Sequence, residues 1–316
     1  VYSFGMAKAK HTSKQKKPAK TKPAAAKAAP KKTAAPTKLA AVEQPQPLAP
    51  EPTAATVSSF SFRRLQNWNG WLAAVHAVQG IAVLLLGASH TSPVTTSYLT
   101  PDPIATKIAG HPVLVTATKH VFDVNVVLVV ALFFFLSALA HAVVATVYRP
   151  QYEADLKRGI NKARWIEYAL SASTMMIAIG FLSGITDLAT FIAIFALDVV
   201  MNLMGLAMEV YNQGKPRPNW LAYGVGTFAG IVPWIVFALY VFGANAYGSG
   251  RVPGFVYWIY ASIFACFSAF AVNMYLQYKR KGRWADYLYG ERVYMVLSLV
   301  AKTALAWQVF AGVLRP

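Results

Sequence analysis

Seven stretches of this chain, each about 20 residues or longer, are apolar almost throughout, and they constrain the fold more than any other feature. They run at about 67–89, 123–148, 163–182, 187–211, 220–245, 254–278 and 291–314. A helix rises about 1.5 Å per residue, so runs of this length cross a hydrocarbon core of about 30 Å. Within that core every backbone N–H and C=O must find its partner inside the protein, which favours helices. The expected fold is therefore an all-α membrane protein, a bundle of seven transmembrane helices spanning residues 61–316. A hydrophobic content of 56% and a mean hydropathy of +0.41 agree, since an ordinary soluble domain is less apolar. Cys266 is the single cysteine, so no internal disulfide is expected.

The formal charge of +18 is unevenly spread: +11 falls in residues 1–64 and +7 in the rest. Residues 1–60 are rich in Lys, Ala and Pro, and such a segment buries too little apolar surface to fold. It is predicted to be a disordered basic tail, solvated rather than bound to nucleic acid. Met6 resembles a natural start, with the five residues before it an upstream extension, and no signal peptide is expected.

Charges between the spans give an orientation. Arg149, Lys157, Arg158, Lys162 and Arg164 cluster before span 3, Lys215 and Arg217 lie between spans 4 and 5, and Lys279, Arg280, Lys281 and Arg283 lie between spans 6 and 7. All three clusters fall on the side of the basic tail, against Lys107, Lys119, Arg251 and Arg315 on the other. Positive-inside then places the N-terminus in the cytoplasm and the C-terminus outside. The long connection 90–122 would be extracellular, and its run PVLVTATKHV has the composition of a possible hairpin strand.

Span 7 carries Lys302 near its middle, too deep for the amine to reach a membrane surface. Such a lysine is a covalent attachment site, an ion-pathway residue or half of a buried pair. An amine in an apolar pocket condenses with an aldehyde to a Schiff base, and a protonated Schiff base needs a buried anion nearby. Ser298 stands one helical turn before Lys302, on the same face, and Trp307 supplies an apolar wall beyond it. With these residues in place, SLVAKTALAWQ resembles the seventh helix of the heliorhodopsins, and further segments match across roughly residues 62–316. The resemblance implies a rhodopsin-like bundle that binds all-trans retinal on Lys302 as a protonated Schiff base. It also implies the inverted orientation that charge counting gives independently.

The remaining polar groups within the spans are few. His76 and Gln79 share a face of span 1, as do Ser137 and His141 in span 2. They suggest a polar cavity, and in heliorhodopsins the matching residues line one beside the Schiff base. As a zinc site, His76 and His141 lack a third ligand, so no metal is expected. Span 3 opens NKARWIEYALSAST, with Asn161, Arg164 and Tyr168 assigned to the polar cavity and Ser171 one turn beyond Glu167. The resemblance implies that Glu167 is the counterion, and Arg164 is expected to tie down its carboxylate from the cytoplasmic edge. Straight helices would leave Glu167 about 6 Å inside the boundary while Lys302 sits near the centre. Asp198 in span 4 lies among apolar neighbours and is assigned to the same cavity, whereas Glu209 near the end of that span is read as interfacial. An amide is expected at the position of Asp198 in the family. Pro233 would kink span 5, and Trp234 is expected to wall the chromophore.

These readings describe a light sensor rather than an enzyme, multi-pass in the plasma membrane among lipids. The resemblance implies a homodimer, and a sensor implies a cytoplasmic signalling partner. The rival function is light-gated or light-driven proton conduction involving Asp198. Against a pump, span 3 offers only Ser171, Ser173 and Thr174 after Glu167. A receptor or transporter without chromophore fits seven spans but leaves Lys302 unexplained.

Overall fold

The computed structural model of the protein describes residues 59–248 and 252–314. The basic tail expected over 1–60 falls almost wholly outside them. Among the described residues, seven helices are long and apolar enough to cross a membrane: Phe62–Leu86, Val126–Ala145, Lys162–Leu182, Leu188–Tyr211, Leu221–Tyr247, Gly254–Tyr278 and Tyr287–Leu314. They belong to α1 (Ser59–Leu86), α3 (Val126–Ala145), α5 (Lys162–Leu182), α6 (Leu188–Tyr211), α7 (Leu221–Tyr247), α8 (Gly254–Tyr278) and α9 (Tyr287–Val309). The last continues into a π-helical turn, Phe310–Leu314. Two shorter helices, α2 (Pro103–Ala109) and α4 (Arg149–Lys157), lie in the connections.

Side chains set the helix starts. Asn125 caps α3 by accepting from the Val127 N–H, Asn161 caps α5 through Arg164, and Asp187 caps α6 through Thr190. Each cap satisfies a backbone donor that the first helical turn leaves unpaired. The start of α1 lies upstream of the polar stretch that the hydropathy pattern leaves outside the first span. Packing explains the extension: Phe62 and Leu65 are buried against Val144, Tyr152, Leu156, Leu288 and Met295, and Gln66 donates to the Ala145 carbonyl at 3.1 Å.

The connection from α1 to α3 is a long hairpin. Thr91–Pro101 (β1) pairs antiparallel with Leu114–Asn125 (β2), with a bulge between Val94 and Thr95 and α2 at the tip. The sequence suggests a strand only in the second half, because β1 is Thr-, Ser- and Pro-rich and lacks a clean alternation. The hairpin is fixed to the α5–α6 turn, where the Thr95 N–H donates to the Thr186 carbonyl at 2.8 Å.

α1 packs along α3, α5 lies between α3 and α6, α6 packs on α7, and α8 on α9. Two glycines one turn apart let α6 and α7 approach closely. A Cβ on Gly230 would stand 2.2 Å from the Met201 sulfur, and one on Gly226 would stand 3.0 Å from the Met204 Cβ. The central core joins Phe133, Phe134, Met176, Ile179, Phe237, Ile263 and Leu305. Large apolar side chains such as Leu85, Leu239, Phe242 and Val272 point outward, as a lipid-facing surface requires.

Candidate functional site

Lys302 is 2% exposed, and its Nζ donates to Ser298 Oγ at 2.7 Å and to Glu167 Oε1 at 3.1 Å. The serine partner follows from helical spacing, since residues four apart share a face. The carboxylate comes from α5 and is itself held by two hydroxyls, Ser137 Oγ of α3 at 2.5 Å and Ser171 Oγ of α5 at 2.6 Å. A buried ion pair is tolerated only when its remaining lone pairs and protons are also satisfied, and here three donors converge on Glu167 Oε1. The Tyr168 ring lies 5.3 Å from the amine, and its hydroxyl donates to the Tyr294 carbonyl at 3.0 Å, locking the ring in place.

Lys302 also borders a cavity of about 100 Å³ lined mostly by apolar groups of α5 to α9, among them Trp165, Tyr168, Met175, Tyr223, Phe267 and Phe270. Trp165 lies flat against Gly205 of α6, where an added Cβ would come within 2.3 Å of its ring. An amine at one wall of an aromatic-lined cavity, with a carboxylate beside it, has the chemistry to hold an apolar aldehyde as a Schiff base. Trp234 and Trp307 do not line this cavity. Trp234 packs behind it, edge-on to Phe264 and to the lining residue Phe267. Trp307 points away and meets Phe310 edge-on, because five residues turn a helix about 140° from the face that carries Lys302.

A second, smaller cavity of about 30 Å³ lies beyond Glu167, bordered by Asn69, His141, Tyr152, Asn161, Arg164, Tyr168 and Glu291. His141 Nδ1 pairs with Asn69 Oδ1 at 2.8 Å, and the His76 ring stacks on His141 with centroids 5.7 Å apart. Both nitrogens of His76, Nε2 of His141, Oε1 of Gln79, Oη of Tyr152 and Nε of Arg164 are buried without a protein partner. Burial, and then the Glu291 charge, push the Tyr152 hydroxyl above the ordinary tyrosine range, so it stays a neutral donor. Asp198 is not part of this cavity. It hydrogen-bonds Ser173 and Asn202 on the far side of α5. No three potential ligands among the described residues gather as a metal site.

Arg164 does not tie down Glu167. It donates instead to Glu209 and Glu291, joining α5, α6 and α9, and its guanidinium stacks on Trp165 and Tyr294. Glu209 is accordingly buried rather than interfacial, accepting also from the Asn161 N–H and Trp165 Nε1, both at 2.8 Å. Residue spacing along the sequence does not reveal this cluster. Its only sequence signal is that the three charged residues stand near the same end of spans 3, 4 and 7.

The family model described as Heliorhodopsin matches residues 65–314. No curated protein matches the chain. Among solved structures it is similar to a light-driven proton pump from Leptosphaeria maculans. The identity is 15% and the TM-score 0.46, and the match covers 80% of this chain and 95% of that one.

Proposed function

The chain belongs to the heliorhodopsin family, and on that premise we propose that it is a light sensor carrying all-trans retinal on Lys302 as a protonated Schiff base. The observation that supports this most directly is the buried Lys302 amine, 3.1 Å from Glu167 and bordering an aromatic-lined cavity. When bound, retinal supplies a conjugated chain that isomerises on absorbing light.

The protein's own residues do the rest. Glu167 supplies the negative charge that favours a protonated nitrogen at Lys302. Ser137 and Ser171 orient that carboxylate, and Ser298 offers a second oxygen to the nitrogen. Tyr168 keeps its ring against the same atom. His76, His141 and the small polar cavity beyond Glu167 form a place where a displaced proton can reside without leaving the bundle. That arrangement suits signalling better than pumping, because α5 offers no second carboxylate beyond Glu167.

The same reading puts the basic connections in the cytoplasm, where a signalling partner would dock, in a multi-pass protein of the plasma membrane that pairs as a homodimer. The test is expression with all-trans retinal, followed by a search for a visible absorption band that hydroxylamine bleaches under light. An absent band would remove the retinal assignment altogether.

A further inference from the structure

Ser173 has one hydroxyl hydrogen and two oxygen neighbours. Its Oγ lies 2.7 Å from the carbonyl oxygen of Ala169, one turn back on α5, and 3.0 Å from Oδ2 of Asp198 on α6. A carbonyl oxygen only accepts, and at Ser173 the carbonyl contact is the shorter one. At Ser137, by contrast, the shorter contact is with Glu167 and the Phe133 carbonyl lies at 3.1 Å. The Ser173 hydrogen therefore belongs to Ala169. The contact with Asp198 then needs a hydrogen on the carboxyl group.

The other surroundings of Asp198 agree. The side chain is fully buried, and none of the ion pairs among the described residues includes it. Asn202 Nδ2 donates to the Asp198 carbonyl at 2.8 Å and to Oδ2 at 3.0 Å, while Oδ1 has no partner. An ionised carboxylate seeks donors at both oxygens, and leaving one bare in an apolar interior is costly.

We infer that Asp198 is a neutral carboxylic acid that donates its hydrogen to Ser173, and that this bond clasps α5 to α6 along the wall of the Lys302 cavity. Ala172 and Met175 of α5 and Met201 and Asn202 of α6 line that cavity, so residues on both sides of the clasp face it. Asp198 is a positioning residue. It does not touch Lys302 but fixes the spacing of two cavity walls. An asparagine keeps a donor in nearly the same volume, whereas a leucine keeps the branched shape, is bulkier and loses the donor.

The dark-state experiment is infrared difference spectroscopy of the full chain in membranes, without retinal. Wild type should show the carbonyl stretch of a protonated acid that Asp198→Asn lacks, and Ser173→Ala should shift that band to higher frequency. No difference between wild type and Asp198→Asn, or an unmoved band in Ser173→Ala, overturns the inference. These arms need no chromophore, so a failure to form pigment counts against the Lys302 assignment alone. The positioning role itself rests on the retinal reading. Return to the dark state after a flash should match wild type in Asp198→Asn and change several-fold in Asp198→Leu and Ser173→Ala. Ser173→Ala keeps this arm decisive should Asp198→Leu fail to fold. Equal recovery in every variant that folds overturns the positioning role.

Discussion

Lys302 of α9 and Glu167 of α5 meet at 3.1 Å although they start from different depths in their helices. The register is fixed at the basic end, where Asn161 Nδ2 donates to Glu291 at 2.7 Å. From that pair, Lys302 lies about 16 Å along α9 and Glu167 about 9 Å along α5. Side chains in a helix lean toward its N-terminus, so the lysine stem runs back and closes the remaining gap. The amine therefore has a partner that helix arithmetic alone does not supply.

Lys302→Ala should fold and give no visible pigment with retinal, because the variant leaves no amine at the cavity. The check is an absorption spectrum of the purified protein reconstituted with all-trans retinal. Retained colour would end the attachment assignment.

Glu167→Gln removes the charge beside the amine while keeping the hydrogen bonds from Ser137 and Ser171 within reach. An opposite charge close by favours the protonated form of a nitrogen, and its loss favours the neutral form. The pigment should turn ultraviolet-absorbing near neutral pH, or shift to the red while taking up an anion from solution. A spectrum and pH titration identical to wild type would falsify the counterion assignment.

Much of this site was legible in the sequence because its signals are local. An apolar run long enough to span, a lysine at its middle and a serine one turn earlier can all be read along one helix. The Arg164 cluster was not legible, because its carboxylates come from α6 and α9 and only the packing brings them together. Trp234 and Trp307 stand off the cavity that Lys302 borders for a related reason. A tryptophan in an apolar span is as well satisfied one layer behind a cavity as at its wall. The first hairpin strand was hidden because Thr, Ser and Pro form an edge strand only when a partner such as Leu114–Asn125 fixes the register.

The Arg164 cluster should dominate stability at the basic end. Arg164→Leu leaves Glu209 and Glu291 facing each other without a cation and should destabilise the fold by about 3–5 kcal/mol, the usual cost of breaking a buried ion pair. Arg164→Leu combined with Glu209→Gln and Glu291→Gln should recover part of that loss, since no bare charge remains. Thermal unfolding followed by circular dichroism distinguishes the two. A triple variant no more stable than the single one would show that packing of the guanidinium on Trp165 and Tyr294, not charge, carries the effect.

The proposed orientation rests on the basic connections and can be tested directly. An epitope placed after Pro316 should be reached by antibody on intact cells, and one placed before Met6 should be reached only after permeabilisation. The reverse pattern would overturn the positive-inside assignment.

Light should drive no sustained current through this protein. A pump needs a proton donor on one side of the photoactive nitrogen and an exit on the other. On α5 the polar residues after Glu167 are Tyr168, Ser171, Ser173 and Thr174, which cannot store a proton as a carboxylate does. The one further carboxyl at that depth, Asp198, is separated from the polar cavity of His141 and Glu167 and is engaged with Ser173 and Asn202. Voltage-clamped cells expressing wild type and Asp198→Asn should therefore both show zero steady photocurrent under bright light. A current in wild type that disappears in Asp198→Asn would instead put that carboxyl on a conduction path, and equal currents in both would place the path elsewhere in the bundle.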